Sequence, residues 1–242
     1  MEQHWAMRSK ELKESDKAHY FTPTELPMTD TGDDGTRDMF PLAPFVVSGG
    51  RNTERYYFVH VNDLSEKYKF NIRPKYFGDE SAYTEVFPQR IKDILSKNMD
   101  AKIFCVFDMD TVYKYNLQDK HKLFVASLKS EIDSDQVILC DSMPSFEFWL
   151  LLHFVDYKGL LKNYSAVSQK LAPHIKPYFE DSTKGLKKLL KSEKYLQDST
   201  WVRKLLEEGR IEQAVMRAKD CLARVLKDET QYSYSNVFRI FE

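Results

Sequence analysis

The stretch Lys102-Ile-Phe-Cys-Val-Phe-Asp-Met-Asp110 decides the fold: a short apolar run that stops at two carboxylates one residue apart. Ile103 to Phe107 is β-branched and aromatic and apolar on both faces, the composition of a strand in the middle of a parallel sheet. Asp108 and Asp110 then fall at its carboxyl end, the edge where open α/β sheets place their chemistry. If extended geometry persists to Asp110, the two side chains point the same way. A doubly anionic oxygen pocket of that kind suits Mg2+ or Mn2+. The competing reading has Asp108 capping the next helix and Asp110 merely solvated, and the pattern alone leaves both open.

Upstream, Phe45-Val-Val47 reads as a short buried strand, followed by the flexible loop Ser48-Gly-Gly-Arg-Asn52. Thr53 is placed to cap a helix starting at Glu54, with Tyr57, Phe58, Val61 and Leu64 toward the core. Phe70 to Tyr76 alternates as a second strand, and Pro74 argues for an edge position or an early end. A helix is expected over Glu85 to Met99, and another over Leu117 to Ile132. Val137 to Cys140 is a fourth strand, closed by Asp141-Ser-Met-Pro144. The order β-α-β-α-β-α-β predicts an α/β, Rossmann-like fold: a mainly parallel four-stranded sheet flanked by helices.

After Pro144 no further clear strand is expected. Ser145 to Phe154 is apolar nearly all round, so it reads as a buried helix with Ser145 as its cap. Helices follow near 165–172, 184–196, 200–208 and 210–227, and the aromatic, polar tail from Tyr232 to Phe238 is placed to return to the sheet. The chain therefore divides into a polar extension over 1–40, an α/β core over 41–155, and a helical C-terminal part of the same domain over 156–242.

Thirty-six basic against 37 acidic residues give a net charge of −1, so no global field announces a nucleic-acid or membrane partner, and any basic surface is local. Cys105, Cys140 and Cys221 lie far apart, which fits reduced, buried thiols better than a disulfide frame. No apolar run approaches a membrane span, and the expected location is the cytoplasm.

Glu54, Asp108, Asp110 and Glu147 all fall at strand-to-helix junctions, which lie on one edge of a parallel sheet. Glu147 is the sole charge between Pro144 and Phe154. A carboxylate there needs a metal, a base or a donor network, and a salt bridge to Arg51 or Arg55 would satisfy it equally well. Lys184, Lys187, Lys188 and Lys191 form the one clear basic cluster, readable as a solvated helix face or, with Arg51, as a phosphate-backbone contact surface. His153 reads as a core or rim histidine, and His60 and His121 have no ligand partner at useful spacing. Zinc-site spacing, a phosphate-binding loop and a nucleophile elbow are missing from the sequence.

Phe45-Val-Val-Ser-Gly-Gly-Arg-Asn-Thr-Glu-Arg-Tyr-Tyr-Phe58, Val106-Phe-Asp-Met-Asp110 and Ser142-Met-Pro-Ser-Phe-Glu-Phe-Trp-Leu-Leu-Leu-His-Phe154 resemble, in order and spacing, the RloB-like proteins of bacteria. The resemblance covers roughly residues 43–240. It implies a Toprim-like sheet, Mg2+ or Mn2+ held by Asp108 and Asp110 with Glu54 and Glu147 beside them, and phosphodiester cleavage of RNA or DNA. It also implies antiphage, abortive-infection defence alongside a partner ATPase of the AAA or ABC type, and it allows a homo-oligomer. One position departs from the pattern: the acid that usually precedes the first-loop glycine is Gly49 here, and Glu54, about one helical turn away, is the substitute. If it does not serve, the alternative is a catalytically weak sensor or binding subunit of a defence complex.

Overall fold

The computed structural model describes residues 43–50, 52–73, 83–227 and 232–242; the polar extension over 1–40 and Arg51 lie outside them. The first half runs β1 (Phe45–Ser48), α1 (Thr53–Leu64), β2 (Asn71–Arg73), α2 (Tyr83–Lys97), β3 (Ile103–Asp108), α3 (Met109–Lys114), α4 (Gln118–Ser127), α5 (Lys129–Asp133) and β4 (Val137–Met143). The second half continues with α6 (Glu147–Leu152), α7 (Tyr164–Ile175), α8 (Leu186–Lys191), α9 (Glu193–Leu196), α10 (Thr200–Leu206), α11 (Arg210–Val225) and β5 (Tyr234–Ser235).

These strands form a five-stranded sheet in the order β2-β1-β3-β4-β5, parallel from β2 through β4, with β5 antiparallel on β4. Four strands were expected from the periodicity. The fifth is two residues long and carries no alternation to read, but it is held firmly. The Ser142 and Ser235 hydroxyls lie 2.8 Å apart, and Asp141 accepts from Tyr234 Oη at 2.6 Å and Asn236 Nδ2 at 2.8 Å. Those partners are why β4 extends through polar residues that read as a closing turn: Asp141 and Ser142 pair with Phe107 and Asp108 of β3.

Successive side chains of the central strands enter opposite cores, as the pleat requires. Val46, Phe104, Val106 and Cys140 face one core, built with α1, α6 to α11 and the C-terminal residues. Phe45, Val47, Ile103, Cys105 and Phe107 face the other, built with α2, α3 and α4. The helical second half thus completes the first core. All three cysteines are buried and free, and no described helix is long and apolar enough to cross a membrane.

Several local expectations need correction. The helix expected over Leu117–Ile132 is two helices, interrupted where Leu128 leaves helical geometry (φ −118°, ψ 16°) and buries its side chain in the second core. Thr53 is the first residue of α1 and not its cap, because its hydroxyl donates across the fold to Leu190 O at 2.6 Å. Ser145 does not cap α6 either; its hydroxyl donates to Glu147 Oε2 at 2.8 Å.

Candidate acidic site

β1, β3 and β4 run in parallel and end together, which brings Glu54, Asp108 and Glu147 to one rim of the sheet. Asp108 is the last residue of β3, and its Oδ1 accepts the Phe146 backbone N–H at 2.7 Å. It therefore satisfies the backbone leading into α6, and makes no cap to its own following helix α3. Extended geometry stops at Asp108, so Asp110 sits in the first turn of α3 and not two residues along a strand. Its backbone N–H donates to Pro144 O at 3.0 Å, which still holds it beside the β4–α6 loop.

Glu54 folds back beneath the first loop. Its Oε2 accepts the Gly50 N–H at 2.6 Å and a short hydrogen bond from the Ser48 hydroxyl. A Cβ at Gly50 would overlap the Glu54 carboxylate, so a larger residue there would push that side chain off the loop and out of its hydrogen bonds to Ser48 and Gly50. At Gly49, by contrast, a Cβ would meet only Phe87 at 3.7 Å and Tyr83 and Val106 O at 3.8 Å, ordinary contacts. Gly50→Ala is accordingly expected to destabilise by about 1–3 kcal/mol through overpacking, while Gly49→Ala stays within about 1 kcal/mol. Thermal denaturation of the two variants checks this; equal losses would mean that Glu54 is not seated against the loop.

Glu147 is 1% exposed and is held by Ser145 Oγ and by Lys191 Nζ at 3.1 Å. The partner of this buried acid thus comes from the far end of α8, 44 residues away. Lys191 is delivered by a row of contacts between α1 and residues 190–196. Besides the Thr53 bond, Asn52 Nδ2 donates to Lys191 O at 3.0 Å, Tyr56 Oη to Glu193 at 2.7 Å, and His60 Nε2 to Leu196 O at 2.6 Å.

The electrostatics follow from burial and crowding of like charge. Desolvation first, then the charges of Glu54 and Glu147, raise the Asp108 carboxyl well above its usual range, against the Phe146 hydrogen bond. Burial pushes Glu54 up to about 7, opposed by Ser48, Lys191 and Gly50. Asp110 is raised by desolvation and by Glu147. Desolvation lowers the Lys191 ammonium, but Glu147, Glu54 and Asp108 outweigh it, so it stays protonated above its ordinary range. The four acids named from the sequence therefore share one electrostatic neighbourhood.

The remaining candidates separate. Lys187 and Lys188 are exposed on the outer face of α8, whose Leu186, Leu189 and Leu190 are buried. Lys184 is 3.6 Å from Asp181, while Lys191 turns inward to the acids. His153 is locked in the core: Nδ1–H donates to Trp149 O at 3.0 Å, Nε2 lies 3.4 Å from Tyr57 Oη, and burial pulls it down to about 3. Ser48, Ser145 and the inward role of Lys191 were missed by sequence reasoning. The only signal for Lys191 was its place at the end of a helix whose apolar residues face inward.

A divalent cation suits this donor set in charge and ligand type: hard oxygens, several of them buried, facing one half-exposed lysine. As placed, the Glu54, Asp108 and Glu147 carboxylates each rest on a protein donor, and among the described residues no group of three or more His, Cys, Asp or Glu is positioned to hold a metal ion.

The fold and rim define the class first: a mixed α/β protein with a mainly parallel five-stranded sheet and an acidic cluster at its carboxyl edge. The RloB-like protein family profile matches residues 45–242, and the chain belongs to that family. No curated protein and no solved structure matches the chain.

Proposed function

We propose that the chain is a Toprim-type nuclease that hydrolyses phosphodiesters of RNA or DNA with Mg2+ or Mn2+. One observation carries the reading: acids from three separate junctions meet at a single sheet edge, where burial and the charge of Glu147 raise the Glu54 and Asp108 carboxyls and Lys191 holds Glu147 at 3.1 Å. Asp108, Asp110, Glu54 and Glu147 are the residues that would hold the metal. When bound, the cation would supply Lewis-acid stabilisation of charge on the phosphate and a more acidic water. Lys191, half-exposed and protonated, is placed to meet a non-bridging phosphate oxygen, and Ser48 and Ser145 fix the orientations of Glu54 and Glu147. Lys187 and Lys188, with Arg51, are proposed to track the nucleic-acid backbone. The proposal extends to a cytoplasmic protein in antiphage defence, working with a partner ATPase.

A second reading, a catalytically weak sensor or binding subunit, is favoured by Gly49 and by carboxylates already bonded to protein donors. The test is cleavage of labelled RNA and DNA in Mg2+ or Mn2+ against EDTA. Cleavage is expected with metal, and its abolition is expected in the Asp108→Ala, Asp110→Ala double variant. Cleavage that survives both substitutions rejects the site. A wild-type protein that cuts nothing yet forms a stable ATPase complex supports the second reading.

A further inference from the structure

A cavity of about 480 Å³ opens at the opposite end of α6 from Glu147, between α7 and the start of α11. Its wall is a set of near-parallel planes. The Phe154 ring lies 5.5 Å from His174 at 13° and 6.3 Å from Tyr178 at 23°, and the Arg210 guanidinium lies 5.3 Å from the same ring. Two successive left-handed residues, Glu208 (φ 59°) and Gly209 (φ 67°), turn the chain into α11 and bring the Glu208 carboxylate to the rim.

The charge balance decides what such a cavity accepts. Arg210 is already engaged by Glu208 at 2.9 Å, and His153 in the cavity floor is held neutral. With the guanidinium committed to a carboxylate, the cavity is a poor trap for a bare phosphate. What it offers is a stack of flat surfaces, with an acceptor in the second Glu208 oxygen and a donor in the Gln213 amide at the edge, the Gln213 Oε1 already accepting from Arg217 at 3.2 Å. That combination matches a planar heterocycle with polar edges, and the volume falls in the usual range for small-ligand pockets, roughly 300–1,000 Å³.

Helix α7 connects the cavity with the acidic rim. Its first residue, Tyr164, lies with its ring 5.7 Å from Lys191 Nζ, and its penultimate residue, His174, is in the cavity wall. Twelve helical residues span about 18 Å, the length of a few nucleotides. We infer that this cavity receives a nucleobase from single-stranded nucleic acid whose backbone passes the acidic rim a few nucleotides away. The inference rests on the nucleic-acid substrate of the proposed function.

The test is fluorescence anisotropy of the full chain in EDTA, with a labelled adenine dodecamer and an abasic dodecamer of equal charge as probes. Base stacking contributes about 1–3 kcal/mol per base, so wild type is expected to bind the base-bearing strand about fivefold or more tightly. His174→Ala, and separately Gln213→Trp, which fills the cavity from an exposed position, are expected to erase that preference while leaving abasic affinity unchanged. No preference in wild type, or a preference kept in both folded variants, overturns the assignment. Competition by adenosine monophosphate at equal base concentration would assign the cavity to a free nucleotide and overturn the strand reading. A wild-type protein that prefers the base-bearing strand but never cuts would sink the nuclease proposal and leave this one standing.

Discussion

Asp108→Asn is expected to stabilise the metal-free protein at pH 8 while lowering cleavage by about three orders of magnitude, the equivalent of several kcal/mol of lost charge stabilisation. The substitution keeps an Oδ1 for the Phe146 N–H and removes the charge that burial, Glu54 and Glu147 all disfavour. The sign follows from proton linkage. A carboxyl whose folded-state pKa is raised contributes fully below its unfolded value near 3.8, and that contribution is lost as pH rises through the folded value. The variant's advantage is therefore smallest near pH 4 and grows as pH rises through the folded-state value toward pH 8. His153, with its pKa pulled down to about 3, pushes the other way below its usual 6.5, but it is common to both proteins and cancels in the difference. Saturating Mg2+ should then stabilise wild type, by about 2.7 kcal/mol at a hundred times Kd, and leave the variant unchanged. Urea denaturation at pH 4 and pH 8, with and without Mg2+, reads all of this. A variant less stable than wild type at pH 8, or equal Mg2+ effects on both, would remove Asp108 from any metal site.

Trp149→Ala is expected to cost about 3–5 kcal/mol, a large part of a typical domain's stability of about 5–15 kcal/mol. The indole is fully buried, stacks on Phe241 at 5.4 Å and 12°, and donates Nε1–H to Tyr57 Oη at 3.0 Å. Removing it opens a cavity, strips Tyr57 of a donor and undercuts Phe241, which also packs on Tyr68 at 5.0 Å. Trp149→Phe keeps the stacking and loses the hydrogen bond, so it should cost less than half as much. A loss below about 1 kcal/mol for Trp149→Ala would mean that the C-terminal residues do not rest on α6.

The legible parts of this protein are those whose causes are local. Ile103 to Phe107 is apolar on both faces because two cores cover it, and Phe146 to Leu152 is apolar apart from Glu147 because every residue of α6 is buried. Pro74 pointed correctly to an edge position for the second strand, and the match to the RloB-like family followed from the motifs around Glu54, Asp108 and Glu147. What stayed hidden depends on pairings between distant residues. Glu147 plainly needed a partner, but nothing near it in the chain names Lys191. The two residues of β5 are too few to carry a period, and the polar end of β4 reads as a turn unless Tyr234 and Asn236 are known to arrive. The shared face for Asp108 and Asp110 failed because helix α3 begins at Met109, two residues before an extended reading through Asp110 allows.

The row of bonds from Thr53, Asn52, Tyr56 and His60 to residues 190–196 has a practical consequence for anyone dissecting this protein. A fragment trimmed to the sheet and its crossover helices would forfeit the ammonium that balances Glu147 and bare the apolar underside of α1 and α6 to water. Chemistry at the rim and integrity of the helical half are one inheritance. Truncation can therefore not be used to separate a lost function of the rim from a lost fold, whereas single substitutions at the rim can.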